Sequence, residues 1–390
     1  MSEVKKIIDN QLSIINTRSG AALLVVLFIV MAITILALGF LSQSDVELAC
    51  GQNMLLRTQM DYLAESALEH ARGLILNPQD IESEYWTGGL SQQLVTGGDD
   101  YYDVNVVKIG QCNYRITSDA YREKMGERIG RSSLEAELRL DPCIAFWAGS
   151  TWTSEQQITI NGDVYCDGTL GGNGNLLGDA FASGGITASV TGRKNEAVAE
   201  APVAWPGLNI DNFSSSYYIE STGYSVQSIE PNLSGVSLEP GGGNPAGVRY
   251  CNGDVELQGG VNITGMLVVG GDVVITGASN TITAVKNFPA LLVSGEVVVG
   301  DGGMLEVNGL AQISQRIVVA AGAENVDIDV VGGLFIANGN IDGLNGSSLS
   351  NSVTITAAPN KAAIEIWPTP GNPMRWSPAA GAFFRSIERK

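Results

Sequence analysis

The side chains that could take part in catalysis are few and scattered. Glycoside hydrolysis requires two carboxylates facing each other across a cleft, and polysaccharide lyases combine a basic residue with acidic calcium ligands. Between Cys251 and Gly346 the only basic residues are Lys286 and Arg316. The aspartates there lie beside glycine, where turns favour them: Asp254, Asp272, Asp301 and Asp342. We therefore interpret them as turn residues and expect no enzymatic activity.

The remaining candidates for chemistry are one histidine and two acidic turns. His70 lies within a long helical pattern and has no partners for a catalytic triad. Calcium at Asp99-Asp100 or at Asp301 stays open, because acidic turns supply the oxygen ligands that calcium prefers. The Gly-Asp repeat of calcium-binding coils is not matched. We expect neither a resident metal nor a cofactor.

The five cysteines lack CxxC spacing, so neither a zinc site nor a thioredoxin-like motif is indicated. They are Cys50, Cys112, Cys143, Cys166 and Cys251. In an exported domain disulfides persist, and two pairs are open to formation, Cys112 with Cys143 and Cys166 with Cys251. Sequence does not fix the connectivity, and buried free thiols are the alternative. Cys50 is expected to stay unpaired.

The charge balance excludes one class of partner. The chain has 22 Lys and Arg against 41 Asp and Glu, a formal net charge of −19. Residues 141–390 hold ten basic residues against twenty-three acidic ones. Binding to DNA or RNA requires clustered Lys and Arg, so we expect no nucleic-acid partner. The acidity is typical of a soluble exported surface.

The element that must position everything else is an apolar segment near the N-terminus. No charged residue lies between Ala21 and Leu41, a stretch of 21 residues. As a helix it would be roughly 30 Å long, about the thickness of a bilayer. Lys5, Lys6 and Arg18 precede it, which predicts that residues 1–20 face the cytoplasm. We therefore predict a membrane helix that leaves the C-terminal part outside the cell.

The apolar segment continues without a break into an amphipathic one. Apolar residues recur at steps of mostly three or four, at Val46, Cys50, Leu56, Met60, Leu63, Ala67, Leu68, Ala71 and Leu74. The pattern predicts a single helix over residues 21–76, about 84 Å long. Asn77-Pro78 should end it, because proline disfavours helix at the residue before it.

These N-terminal features together resemble those of type IV prepilins. Gly20 directly precedes the apolar run, after Arg18 and Ser19, so that a cut before Ala21 would leave the apolar helix as the new N-terminus. Ala64-Glu65 followed by Ala67-Leu68 is similar to the AExAL stretch of PilX-type minor pilins. The resemblance implies removal of the leader 1–20 by a prepilin peptidase, methylation of the new N-terminus, and insertion into a filament beside other pilin subunits.

One position departs from the pattern of major pilins. They carry Glu at the fifth residue after the cut, where it is thought to meet the N-terminus of a neighbouring subunit, whereas this chain has Val25. A lone carboxylate in a bilayer is costly unless it is paired, so its absence removes both the cost and the pairing. The resemblance therefore implies a minor subunit.

Residues 77–142 are expected to form a small antiparallel sheet on the helix. Three runs read as strands, YYDVNVVKIG, CNYRITSDAYR and RSSLEAELRL, and apolar residues alternate within them. This α+β arrangement of a long helix and a small sheet is that of a pilin head.

From Cys143 onward the chain becomes rich in Gly, Val, Ile, Asn and Thr. Taking Met266, Leu291, Leu310 and Leu334 as equivalent gives intervals of 25, 19 and 24 residues. Such periods, with short strands and Gly turns, predict a right-handed parallel β-helix over residues 143–390. An antiparallel β-sandwich is the alternative. The region also resembles Gly-rich domains fused behind PilX-type N-termini.

Two segments of this region are expected to depart from the repeat. Residues 193–246 lack clear periodicity and predict an excursion across the coils. Residues 367–390 are expected to cap the last coil, with AFFRSIERK as a short helix. The bulky cap residues are Trp367, Pro368, Pro370, Pro373 and Trp376.

The resemblance implies that the chain is a minor type IV pilin or pseudopilin. It would lie in the cytoplasmic membrane before assembly, and afterwards at low copy or at the tip of an extracellular filament. Its expected partners are other pilins, the prepilin peptidase, the assembly machinery and a contacted surface such as a glycan. The alternative functions are a membrane-anchored β-helix carbohydrate-active enzyme and an envelope scaffold.

Overall fold

A computed structural model describes residues 2–76, 85–214, 223–344, 350–364 and 376–389. The expected helix end at Asn77-Pro78 and four of the cap residues lie outside this part of the chain. Those cap residues are Trp367, Pro368, Pro370 and Pro373.

Helix α1 (Ser2–Leu76) runs from the leader into the folded part without interruption. From residue 22 to residue 55 its side chains are exposed on all sides, and from Met60 onward one stripe is buried. It is the one helix among the described residues that is long and apolar enough to cross a membrane. The predicted long apolar helix is therefore confirmed.

Outside α1, the described chain is mostly β-structure. In chain order the strands are β1 (Gly88–Gln92), β2 (Asp100–Gly110), β3 (Asn113–Lys124), β4 (Glu127–Leu140), β5 (Ile144–Ala148), β6 (Trp152–Ser154), β7 (Ile158–Asn161), β8 (Asp163–Cys166), β9 (Leu170–Gly172), β10 (Asn175–Leu176), β11 (Ala180–Ala182), β12 (Lys194–Asn195), β13 (Gln227–Ser228), β14 (Asn232–Leu233), β15 (Ser237–Leu238), β16 (Val248–Cys251), β17 (Val255–Leu257), β18 (Asn262–Thr264), β19 (Met266–Val269), β20 (Val273–Ile275), β21 (Asn280–Thr283), β22 (Leu291–Val293), β23 (Val297–Val299), β24 (Met304–Ile313), β25 (Ile317–Val319), β26 (Asp327–Ile336), β27 (Ile341–Asp342), β28 (Ser352–Ala357) and β29 (Ala382–Arg389). A 3₁₀ turn (Ile210–Phe213) and a short helix α2 (Pro359–Ala362) complete the set.

An antiparallel sheet in the order β1-β2-β3-β4-β29 packs on the amphipathic half of α1, and we call the two together the platform. Alternate residues of the sheet point at the helix and are buried, for example Val104, Ile116 and Leu138. Period-two burial on one face is what the alternation in the sequence predicted.

The last strand corrects the expected C-terminal helix. Residues 382–389 pair antiparallel with β4, with Ala382 opposite Leu140. Without them β4 would present an open edge of unpaired backbone N–H and C=O groups, and Phe383, Phe384 and Ile387 favour strand. The segment therefore completes the platform and does not cap the coils.

The described residues between 143 and 381 form the second body, which we call the head, and its strands pair in parallel ladders. The first ladder runs β12-β11-β8-β5-β26-β24-β22-β19-β16-β13, and the second runs β14-β17-β20-β23-β25-β27. The third follows β15-β18-β21-β24-β26-β28-β7-β10. The predicted parallel pairing is confirmed, and the antiparallel sandwich is wrong.

Two long strands, β24 and β26, belong to both the first and the third ladder. Each turns the corner between them at a glycine with positive φ, Gly309 at 141° and Gly332 at 139°. A Cβ added at Gly309 would lie 2.6 Å from the Cβ of Ala284. The corner therefore requires glycine for both conformation and space.

The chain does not stack its coils in sequence order. Strand β5, the first of the head, lies beside β26, and the ladder grows from there through β8 and β11 to β12. The chain then crosses to the far end, starts again at β13, and returns to β26. The coils made by residues 143–195 thus stack on the last coil, not on the one that follows them.

This order shortens the predicted excursion. Of residues 193–246, β12 extends the first ladder, and β13, β14 and β15 add one strand to each ladder at the far end. Two-residue strands separated by Gly, Pro and Ser leave no visible period, although they pair. The longest described stretch of this range outside the ladders is residues 196–214, which we call the crossover segment.

The crossover segment covers the outer face of the first ladder. Val203, Leu208 and Phe213 are buried against Trp147 and Phe335 in a second apolar core, separate from the one enclosed by the coils. Leu208 also exchanges hydrogen bonds with the buried Gln312, 3.3 Å and 2.8 Å long. The expected cap residue Trp376 joins this core, its ring centroid 5.1 Å from that of Phe335.

Candidate functional site

The residues predicted to form the cleavage site and the membrane anchor lie in one unbroken helix. Gly20 and Ala21 fall inside α1. Val25 is 57 % exposed and Leu41 is 61 % exposed. An apolar surface this continuous is costly in water, so lipid or other protein must cover it. The segment is therefore a candidate surface for both membrane insertion and helix packing.

The AExAL stretch has a clear packing role at the other end of α1. Ala64 and Ala67 are fully buried against the sheet, Leu68 is 2 % exposed, and Glu65 is exposed. Small side chains let the helix backbone approach the strands, and the Ser118 hydroxyl donates to the Ala64 carbonyl at 3.0 Å. These residues fix the direction in which the helix leaves the platform.

The cysteines divide into one bonded pair and three free thiols. Cys112 and Cys143 form a disulfide, with their Cα atoms 6.4 Å apart. Cys166 and Cys251, the other pair that the sequence left open, are both free. They lie on β8 and β16, six strand positions apart in the first ladder. That separation of about 29 Å is far beyond the reach of a disulfide. Cys50 is free and exposed on α1.

Five charged residues meet where the head joins the platform, and we call them the junction cluster. They are Arg139, Asp141, Asp163, Asp179 and Arg193. Arg139 comes from β4, and the others belong to the connection and the first coils of the head. The sequence interpretation missed this cluster, because nothing local in the chain brings residue 139 to residues 163 and 179.

Asp179 is the centre of the junction cluster. Its side chain is 2 % exposed, and its Oδ2 atom accepts hydrogen bonds from Arg139 Nη2 at 2.9 Å and Arg193 Nε at 2.9 Å. Its Oδ1 atom accepts from the Arg193 backbone N–H at 2.7 Å. Burial acts to raise the pKa of Asp179, but the bonds from Arg193 and the charge of Arg139 outweigh it and lower that pKa.

Asp163 lies beside it and has the opposite shift. Its two oxygens accept from the backbone N–H groups of Cys143 at 2.7 Å and Asp179 at 2.8 Å. Arg139 is more distant, with its Nη2 atom 3.7 Å from Asp163 Oδ1. Burial outweighs these contacts and raises the pKa of Asp163 to about 6.

Three aspartates of the junction cluster could in principle hold a metal ion, since one oxygen from each of Asp141, Asp163 and Asp179 lies within 4.8 Å of the others. Two guanidinium groups already occupy this space and bond the same oxygens. A cation would have to displace them, so we interpret the group as an ion-pair network. It joins head to platform.

The opposite shifts predict a pH window for stability. A lowered pKa gives stability that is present above the ordinary value of 3.8 and lost as the pH falls through the folded value. A raised pKa, as in Asp163, gives stability that is present below 3.8 and lost as the pH rises through about 6. We therefore expect the junction cluster to stabilise the protein most near pH 4, and its contribution to fall as the pH rises from about 4 to about 6.

Thermal unfolding of the full chain in detergent, measured at pH 5 and pH 7, tests this. Asp163→Asn removes the group that titrates near 6, so the difference between the two unfolding temperatures should shrink in that variant. An unchanged difference would show that Asp163 does not titrate in this range.

The other acidic residues singled out in the sequence have structural partners. Asp254 Oδ1 accepts the backbone N–H of Asp272 on the next coil, and Asp272 Oδ1 accepts that of Glu296, both at 2.8 Å. Asp301 Oδ1 accepts from Glu324 N at 2.8 Å, and Asp100 binds Arg122 through both oxygens. These carboxylates tie neighbouring turns and strands together.

His70, the single histidine, also has a structural setting. Its Nδ1 atom is 3.0 Å from the hydroxyl of Tyr102, and its ring lies against Trp86. It fastens α1 to the sheet.

One surface of the head was missed altogether by the sequence interpretation. The outer side of the third ladder carries regular rows of Thr and Asn, with Glu306 and Asp329 side by side in their middle. Four triplets in the sequence could have indicated this surface. They are Asn-Ile-Thr at 262, Thr-Ile-Thr at 281 and 354, and Thr-Ile-Asn at 159. Each puts a buried Ile between two outward polar residues.

No protein-family model and no curated protein matches this chain. Among solved structures, the DUF3494 domain of ice-binding protein 1 from Shewanella frigidimarina aligns with 15 % identity over 55 % of this chain and 95 % of its own, with a TM-score of 0.33. The competence-associated pilin ComZ from Thermus thermophilus aligns with 12 % identity over 87 % of this chain and 97 % of its own, with a TM-score of 0.32. Likenesses at this level do not establish a shared fold or function.

Proposed function

We propose that this chain is a minor type IV pilin or pseudopilin with a large non-catalytic head. The observation that carries the proposal is α1. Its exposed apolar half, with Gly20-Ala21 at its start, continues directly into the half that packs under the platform sheet. A helix built this way can be held in a membrane and then transferred into a bundle of like helices without refolding the platform.

The head supports a role at low copy or at the filament tip. We propose that its parallel ladders form a right-handed β-helix of some 240 residues, which is far wider than one helix. Together with the acidic surface, its bulk would crowd and repel copies at neighbouring positions. Val25 in place of Glu also removes the carboxylate expected to pair with a neighbouring N-terminus. Initiation of assembly or contact with a surface fits these properties best.

Processing after Gly20 gives the direct test. In cells with an active prepilin peptidase, we expect mass spectrometry to find a mature protein that starts at Ala21. Gly20→Phe should block the cut, because the site requires a small residue, and leave a membrane-held precursor heavier by residues 1–20. Ser19→Ala is the matched control and should be processed. A wild-type chain that keeps residues 1–20 under these conditions would overturn the pilin proposal.

A further inference from the structure

The outer side of the third ladder presents two straight rows of side chains, which we call the flat face. The first row crosses eight strands through Ser237, Asn262, Thr281, Glu306, Asp329, Thr354, Thr159 and Asn175. The second row crosses six through Thr264, Thr283, Asn308, Val331, Thr356 and Asn161. All fourteen are exposed or half-buried, while their strand neighbours point into the core.

The spacing and chemistry of the flat face are regular. Adjacent strands lie about 4.8 Å apart, and the two rows are about 6.7 Å apart along each strand. Eleven of the fourteen side chains carry a hydroxyl or an amide, and none is Lys or Arg. The flat face therefore offers a grid of neutral hydrogen-bonding groups to a partner that is itself extended and repetitive.

Two acidic side chains interrupt the neutral rows near the centre of the flat face. Glu306 and Asp329 are direct neighbours across β24 and β26, and Asp327 lies two residues before Asp329. Asn308 Nδ2 donates to Glu306 Oε1 at 2.7 Å, and Ser352 donates to Asp327 Oδ1. The Oδ1 atom of Asp329 is shielded from solvent and has no hydrogen-bond partner among the described residues. Burial, followed by the charges of Glu306 and Asp327, raises the pKa of Asp329.

A neighbouring cation would relieve this arrangement. Two carboxylates in register repel each other, and an unpaired carboxylate oxygen out of contact with water is unfavourable. A positive charge placed over Glu306 and Asp329 would offset the repulsion between the two carboxylates. Charge complementarity therefore selects a partner that carries amines.

The composition of the flat face also selects the class of partner. Protein interfaces are anchored by large residues, above all Trp, Tyr and Arg, and the rows contain none. Short Thr and Asn side chains lose little conformational entropy on binding and offer both donors and acceptors. Such a surface suits the hydroxyl groups of a sugar chain.

We propose that the flat face binds a linear polysaccharide that carries free ammonium groups. Its hydroxyl groups would bond the Thr and Asn rows, and its ammonium groups would pair with Glu306 and Asp329. The inference rests on the proposed function in one respect, that the head is displayed outside the cell. Binding itself depends only on the surface of the head.

Retention of the purified full chain, in detergent, on two insoluble polymers tests the proposal. Chitin and cross-linked chitosan share one sugar backbone, and chitosan carries amines, which are protonated at mildly acidic pH, where chitin carries acetamides. We expect retention about tenfold greater on chitosan, since exposed ion pairs contribute modestly and a polymer offers many of them. Equal retention on the two polymers, or none on either, would overturn the proposal.

Variants assign the binding to the flat face. The double variant E306Q/D329N should lose the preference for chitosan while its unfolding temperature is kept, because it removes a like-charge contact. The control E200Q/E324Q removes two exposed carboxylates in the crossover segment and in a turn, and should retain the preference. Thr354→Lys places a competing ammonium beside Asp329 and should weaken retention on chitosan.

The remaining outcomes distinguish other occupants of the flat face. A preference for chitosan that survives in E306Q/D329N would reflect the net charge of the chain and overturn the assignment. If the protein slows ice growth and neither polymer retains it, the flat face binds crystalline water. If a polylysine peptide is retained and neither polymer is, the flat face binds a basic protein. Either result would overturn the proposal. A chain processed at Gly20 but not retained would refute this inference alone, whereas a retained but unprocessed chain would refute the pilin proposal alone.

Discussion

Asp179→Asn is expected to destabilise the head by about 3 kcal/mol, because it leaves the guanidinium groups of Arg139 and Arg193 without their shared carboxylate oxygen. Asparagine keeps the size of the side chain and can still accept the backbone bond from Arg193 N. The loss therefore reports the ion pairs. Urea unfolding of the full chain in detergent, followed by the circular dichroism of the β-structure, gives the free energy of unfolding.

The matched control is Asp167→Asn. Asp167 is exposed and accepts a single bond from the Ser183 hydroxyl at 2.9 Å, so its replacement should change the free energy of unfolding by no more than about 0.5 kcal/mol. In the pair Arg139→Met with Asp179→Asn, the combined loss should be smaller than the sum of the single losses. If the losses in free energy of unfolding are additive, or if Asp179→Asn costs no more than Asp167→Asn, the charges of the junction cluster are not energetically coupled.

Loss of the disulfide is the second large effect that we expect. Cys112 and Cys143 are 31 residues apart, and closing a loop of that length restricts the unfolded chain by about 3–4 kcal/mol. The variant C112S/C143S should therefore unfold at a lower urea concentration than the oxidised wild type by a corresponding amount. Reduced wild type should behave like the variant.

Cys251→Ser provides the control, because Cys251 is free and half-buried. It should unfold with the wild type under oxidising conditions. If oxidised and reduced wild-type protein unfold at the same urea concentration, the bond does not stabilise the folded protein.

Local patterns in the sequence were enough to predict α1 and the platform strands β2, β3 and β4. Twenty-one uncharged residues and a stripe at steps of three and four leave no other structure for α1. The three alternating runs from Tyr101 to Leu140 each became a strand of the sheet. In these segments, burial of one face follows directly from the period of the chain.

The head was predicted in class but not in order. In the first ladder Leu291 pairs with Leu267 on one side and with Ala311 on the other. The sequence pattern had indicated Met266 and Leu310 as the equivalent residues, so each of these two assignments was one residue too early. A single-residue error cannot be seen in near-continuous apolar runs such as Met-Leu-Val-Val, because both faces of the first ladder are buried. An error of one residue leaves the spacing between successive coils at 20–25 residues, but it gives the wrong pairing register between their strands.

The sites depended on contacts between distant parts of the chain. Arg139 meets Asp179, and β5 lies beside β26, which is more than 180 residues further along. No periodic pattern in the sequence predicts these long-range contacts. The last segment forms strand β29 and not a helix because it pairs with the open edge of β4. The outward Thr and Asn triplets were present in the sequence, but only the stacking order turns them into rows.

The return of the chain to β29 has a mechanical consequence. The head leaves the platform at the end of β4 and re-enters it at the start of β29, and Asp141 N and Gly381 O at these two crossings are hydrogen-bonded at 3.0 Å. The disulfide adds a third covalent tie, from the head to the β2–β3 turn. A tensile load on the head would therefore divide over three attachments and pull β4 and β29 along their own length. Antiparallel hydrogen bonds run perpendicular to the strands, so such a pull loads many of them in shear at once and does not open them one by one. A head held in this way can transmit a pull to the helix below it without unravelling from either end.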